Sequence, residues 1–206
     1  MAWRLPLRRQ APQPPLPRSD PAVTDRPALC DWAWRPPVWA APQPGVPGRA
    51  APGGHALALG CTLFHDDPGG AVSARQVATP GGPAPFALTL EVGAFAGSYL
   101  SLALDLPADA ARSATRRDIF RLAVAVAAPP ALYARLNLRH GPNTEALTDH
   151  LRPDGTVWAV ELDLGFTPLG PGGVEAAWID LSFDVPSGMA LTLADLTLTR
   201  RPRAEL

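Results

Sequence analysis

The stretch Leu132-Tyr133-Ala134-Arg135-Leu136-Asn137-Leu138-Arg139-His140 alternates apolar and polar residues without a break. Successive side chains of a strand point to opposite faces. Leu132, Ala134, Leu136 and Leu138 therefore share one side, and Tyr133, Arg135, Asn137 and Arg139 the other. One face is built for a core and the other is polar and wide enough to hold a ligand.

The same parity recurs through most of the chain. Gly and Pro clusters bound strands predicted at Ala56–Phe64, Ala71–Val77, Pro85–Val92, Ser98–Leu106, Ile119–Ala127, Ala131–His140, Thr156–Leu164, Val174–Val185 and Met189–Thr199. About nine short strands at this spacing predict an all-β fold, a jelly-roll-like antiparallel β-sandwich. Leu100, Leu102, Leu104 and Leu106 line one side of their strand; Trp158, Val160, Leu162 and Leu164 do so on another. Ala177, Ile179, Leu181 and Phe183 repeat the pattern. Each buried aliphatic contributes about 1.5–3 kcal/mol, so these rows fix the register. The opposite faces carry Ser101, Asp105, Glu161, Asp163, Trp178, Asp180 and Asp184, which must be wet, paired with Arg, or occupied. The last strand changes phase between Leu193 and Leu196, which predicts a bulge near Ala194-Asp195. Helical signals are confined to Ala108–Arg117 and to Thr144–Leu151, which reads equally as an edge strand.

Half of the 26 prolines fall in residues 1–53, so this stretch reads as an extended arm preceding the sandwich of residues 54–206. The arm holds Asp31-Trp32-Ala33-Trp34-Arg35-Pro36-Pro37-Val38-Trp39. Three indoles either pin it to the sandwich, each burying roughly 150–250 Å², or present a stacking surface to a partner.

Composition narrows the function. Net charge is −1, and the hydrophobic fraction of 47% is that of a globular protein. Residues 1–53 carry seven Arg and three Asp, while the rest is mildly acidic. No basic patch predicts a nucleic-acid partner. No apolar run reaches the roughly 18 residues of a membrane span. Met1–Arg9 lacks the apolar core of a signal peptide, and two cysteines, Cys30 and Cys61, make no disulfide framework. A cytoplasmic location is the expectation. Cys61 shares parity with Leu57, Leu59 and Leu63 and reads as a core residue. No nucleophile elbow, phosphate loop, dinucleotide fingerprint or zinc spacing is present, and no cofactor is expected.

Glu161-Leu162-Asp163-Leu164-Gly165-Phe166 resembles the Glu-x-Asp-x-x-Glu signature of jelly-roll endoglucanases, in which the first Glu is nucleophile and the last is acid/base. The two acids would lie about 6.5–7 Å apart along a strand, but Phe166 stands where the proton donor should be. Asp66 and Asp67, at a Gly-rich strand end, serve either a turn or a hard cation. Asp195 either satisfies bulge amides or resembles the calcium-holding Asp of some carbohydrate-binding modules. His140-Gly141-Pro142-Asn143-Thr144-Glu145 closes the strand with the polar face, either as a corner or as the rim of a site.

Asp31-Trp-Ala-Trp-Arg-Pro, Leu63-Phe-His-Asp, Gly97-Ser-Tyr-Leu-Ser-Leu, Ala134 to Glu145 and Arg200-Arg-Pro-Arg-Ala-Glu-Leu206 resemble, in order, an uncharacterised domain family of alphaproteobacteria over residues 30–206. The resemblance implies no activity.

The residues favour a non-catalytic binding module for a glycan or other polar ligand, held by Tyr133, Arg135, Asn137, Arg139, Trp178 and Asp180. The fork donors of Arg, the two-way amide of Asn and an aromatic plate are the chemistry that holds hydroxyls. Two other readings remain: a protein-interaction module docking through the Trp-rich arm, and a degenerate jelly-roll glycosidase.

Overall fold

The computed structural model describes residues 16–44, 46, 48–170, 173–184 and 187–204. The Met1–Arg9 reading, the tail at 205–206 and the strand end at Val185 lie outside the described residues.

Two antiparallel sheets face one another. The first has six strands in the order β10-β9-β13-β7-β4-β3. These are β3 (His55–Ala58), β4 (Cys61–His65), β7 (Leu100–Asp105), β9 (Leu132–His140), β10 (Asn143–His150) and β13 (Ala176–Phe183). The second sheet has eight strands, ordered β11-β12-β8-β14-β6-β5-β2 with β1 alongside β14. They are β1 (Trp32–Trp34), β2 (Gly48–Arg49), β5 (Val72–Ala78), β6 (Phe86–Val92), β8 (Asp118–Val126), β11 (Arg152–Asp154), β12 (Val157–Asp163) and β14 (Met189–Pro202). Helices are one turn or little more: α1 (Pro37–Ala40) and α2 (Ala108–Ser113). From β3 onward the chain passes repeatedly between the sheets, the jelly-roll habit. Among the described residues, no helix is long and apolar enough to cross a membrane.

The parity holds. Leu63, Leu102, Leu181 and Ala134 lie side by side across four strands, and Leu104, Ile179 and Leu136 form the next row. All are at most 1% exposed. Phe120, Leu122, Val124, Leu196 and Leu198 meet them from the eight-stranded sheet, each fully buried. A one-residue slip would turn every one of these side chains to water. The register shift in β14 falls between Leu193 and Asp195, at the expected bulge.

Two segments depart from the sequence reading, and a third takes one of the two forms it allowed. Ala56–Phe64 is not one strand but the β3–β4 hairpin, turned at Gly60 with φ +67, a conformation glycine adopts without Cβ strain. Leu59 therefore leaves the phase of Leu57 and Leu63 and is 92% exposed, while Cys61 is fully buried. Thr144–Leu151 resolves as the edge strand β10, paired along its whole length with β9. The helix predicted over Ala108–Arg117 stops at Ser113.

The arm is built into the molecule. β6 pairs with β14 only over Met189–Leu193, and past the bulge that edge of β14 is taken by β1. Trp32 is 1% exposed, edge-on to Phe120 and stacked on Trp34. Trp39 is fully buried and donates from Nε1 to the Leu193 carbonyl at 3.0 Å. Ion pairs of opposite polarity flank β1. Asp31 holds Arg200 at 3.0 Å, and Arg35 holds Asp195 with two bonds of 2.8 Å. Reversed, β1 would set like charges together, and slipped, it would part both pairs, so Asp-Trp-Ala-Trp-Arg carries its own docking instruction.

Candidate functional site

The polar side of β9 is the outer face of the six-stranded sheet. Its neighbours are fixed by register. Tyr133 lies between His150 and Ser182, and Arg135 between Thr148 and Asp180. Asn137 lies between Ala146 and Trp178, and Arg139 between Thr144 and Ala176. Parity alone puts Tyr133, Arg135, Asn137 and Arg139 on one side; the pairing of β13 beside β9 adds Trp178 and Asp180. All six expected residues thus form one continuous patch. Among the described residues, no strand of the arm pairs with this sheet.

The six do different things. Asn137 is 3% exposed, and its Nδ2 donates to Asp180 Oδ2 at 2.8 Å and to the Arg135 carbonyl at 3.2 Å. Its amide donors are thus engaged within the protein, one of them on the Asp180 carboxylate. Arg135 is exposed and, among the described residues, its guanidinium has no hydrogen-bond or ion-pair partner. Arg139 approaches Glu175 at 3.8 Å with both side chains 56% exposed, a contact worth at most about 1 kcal/mol and free to rearrange. The Tyr133 ring rests 4.2 Å from that of His150.

Trp178 stands half-buried opposite Asp105. With Arg139, Glu175 and the side of α2 it lines a shallow depression of about 340 Å³ at one end of the face. Asp105, Glu175 and α2 were not in the expected set. Asp105 was legible on the polar side of its strand, but only the β13–β7 register brings it to Trp178. The face carries two guanidinium groups and three carboxylates (Asp105, Glu175, Asp180), a mixed potential without a net basic field.

Other sequence candidates are engaged elsewhere. Glu161 and Asp163 lie on the outer face of the other sheet, held by Arg201 at 2.9 Å and by Arg203 at 3.1 Å. The Asp66 carboxylate accepts from the hydroxyl and amide of Ser98, and Asp67 from the amides of Ala71 and Ala96. Asp195 Oδ1 accepts the Leu196 amide, and the Arg35 guanidinium occupies both its oxygens. His140 Nε2 is buried 3.7 Å from Glu145, too far for a hydrogen bond. His65 accepts the Asp67 amide at Nδ1 and faces the Ala50 carbonyl with Nε2. Burial pushes the Cys61 thiol up to about 12, so it is inert. Among the described residues, no three His, Cys, Asp or Glu side chains come together in a metal-holding group.

Solved structures that resemble the fold do so loosely. The enzymatically active domain of bacteriophage CBA120 tailspike protein 4 aligns with TM-score 0.46 and 11% identity over 67% of this chain, which spans only 19% of that one. A family 11 carbohydrate-binding module from Clostridium thermocellum, in complex with a β-1,3-1,4-mixed-linked tetrasaccharide, aligns with TM-score 0.43 and 10% identity, covering 72% of this chain and 92% of its own. The xylan-binding CBM22-1 domain of Paenibacillus barcinonensis Xyn10C gives 0.37 and 14%, covering 69% and 87%. No curated protein matches the chain. The motifs at the two ends, Asp31-Trp-Ala-Trp-Arg and Asp195 to Arg200, meet in a single pair of strands, and a family model matches nearly the whole chain. That model covers residues 11–206, and the chain belongs to the family of unknown function DUF6478.

Proposed function

We propose that this protein is a β-sandwich binding module that takes a glycan or similarly hydroxylated ligand on the outer face of its six-stranded sheet. The observation that carries the reading is the juxtaposition on that face of a half-exposed Trp178 plate, the Arg135 fork, unpartnered among the described residues, and the Asp180 carboxylate held by Asn137. A pyranose offers an apolar face to an indole and hydroxyls that donate to Asp180 and accept from Arg135. The near balance of charge suits a neutral ligand better than a polyanion. The reading assigns no reaction to the site.

The test is a glycan microarray probed with wild-type protein and with Arg135→Ala, Trp178→Ala and Asn137→Ala. Expected is binding to a restricted set of glycans, lost in the first two variants and weakened in the third. No glycan binding, or binding indifferent to Arg135 and Trp178, overturns the proposal.

A further inference from the structure

The opposite side of the molecule holds a partly open cleft of about 320 Å³, where the arm crosses the outer face of the eight-stranded sheet. Its floor is flat because the sheet presents small residues there: Ala123 opposite Thr197, and Ala125 opposite Asp195. One wall is the arm at residues 23–25, the other the β11–β12 turn at Thr156-Val157.

The arm wall is held in place. Val23 is 1% exposed. Arg26 donates to the Val23 and Asp20 carbonyls at 2.6 and 2.7 Å, and Arg35 donates to the Ala22 carbonyl at 3.1 Å. The Arg35–Asp195 pair closes one end of the cleft with both groups satisfied. Arg121 stands in the lining with 17% of its side chain exposed. Among the described residues, only one of its five N–H groups has a partner, the exposed Asp154 at 2.6 Å. Its cross-strand neighbour Glu161 is taken by Arg201. Asp25, also in the lining, has no hydrogen-bond or ion-pair partner among the described residues, and the same holds for the hydroxyls of Thr24, Thr156 and Thr197.

The cleft thus offers the N–H groups of Arg121 that its pair with Asp154 leaves open, an exposed Asp25 carboxylate and a group of hydroxyls over an aliphatic floor, with no aromatic ring in its lining. A pyranose would lack a plate to stack on, and a simple anion would be opposed by Asp25. We propose that the cleft binds a small zwitterion of the free amino-acid class, its carboxylate on Arg121 and its ammonium toward Asp25. Guanidinium forks bind carboxylates through two parallel charge-assisted bonds, which sets the orientation. This site is separate from the face of β9 and does not rest on the glycan reading.

The test is a thermal-shift panel of the twenty proteinogenic amino acids on the full chain, followed by calorimetry and amide-resolved NMR of the strongest hit. Expected is a raised melting temperature with at least one of them, with shifts centred on Ala123, Ala125 and Thr197. Affinity should fall more than about tenfold in Arg121→Gln, equivalent to about 1.4 kcal/mol, partly recover in Arg121→Lys, and weaken in Asp25→Asn. Arg135→Ala on the other face should leave it unchanged. The amidated form of the hit, lacking the carboxylate, should not bind. The proposal is overturned if no amino acid binds at low millimolar concentration, if the amidated hit binds equally, or if shifts centre on β9. Should Arg121→Gln not fold, the wild-type shift map and the amidated compound decide.

Discussion

Converting Asp195 to Asn tests how the arm is held. Arg35 and Asp195 are 6% and 8% exposed, 160 residues apart in sequence, and joined by two bonds of 2.8 Å. Those bonds, foremost, hold the guanidinium more firmly protonated than usual. Asp195→Asn keeps the shape and removes the charge, leaving a cation buried against the Ala22 and Pro83 carbonyls. Breaking such a pair from one side costs about 3–5 kcal/mol, because the survivor stays desolvated. For a chain of this length each kcal/mol lowers the melting temperature by about 2–4 °C, so the drop should be roughly 6–20 °C. The paired replacement Arg35→Met with Asp195→Leu removes both charges and should be less destabilised than either single change, so the coupling should be about 3 kcal/mol or more. Differential scanning calorimetry on wild type, Asp195→Asn, Arg35→Met, Asp195→Leu and the double variant reads both quantities. Single variants within about 1 kcal/mol of wild type, the range of a surface pair, would refute the claim that this contact locks the arm.

Three further outcomes are expected. Trp39→Ala empties a fully buried indole site and should cost about 3–5 kcal/mol in urea unfolding. The Ser98 hydroxyl with the amides of Tyr99 and Ser98 holds Asp66 below the usual carboxylate range, and the amides of Ala71 and Ala96 do so for Asp67. A depressed folded value stabilises fully above the unfolded pKa of about 3.9 and is lost as pH falls through the folded one. The urea midpoint should therefore fall on acidification below about pH 4, less steeply in Asp66→Asn and Asp67→Asn. With a thiol reagent at neutral pH, Cys30 should react in the native protein and Cys61 only after unfolding, since Cys61 is fully buried and its pKa is raised to about 12. Equal reactivity of the two would contradict the packing of β4.

What the sequence disclosed follows from what is local. Parity along Leu132–His140 or Ala177–Phe183 is a property of one strand and needs no partner, so core faces were legible. Phase was misread where a turn hid inside a run: Leu57, Leu59 and Leu63 look continuous, but Gly60 folds the chain back and expels Leu59. Thr144–Leu151 was ambiguous because Leu147 and Leu151 suit a helix turn as well as one side of a strand; pairing with β9 decides it. β1 is only three residues and exists because β14 offers an edge there. The same limit applies to the candidate face: residue types named Trp178 and Asn137 separately, and only the β13–β9 register makes them neighbours. The Arg35–Asp195 pair and the cleft beside it depend wholly on contacts distant in sequence.

The account stands most directly on where a glycan lands. Amide-resolved chemical-shift mapping during titration with the strongest array hit should move Tyr133, Arg135, Asn137, Arg139, Trp178 and Asp180 first, with the indole signal of Trp178 among the largest changes. Perturbations gathered instead on the eight-stranded sheet or the arm, with these six unmoved, would contradict it.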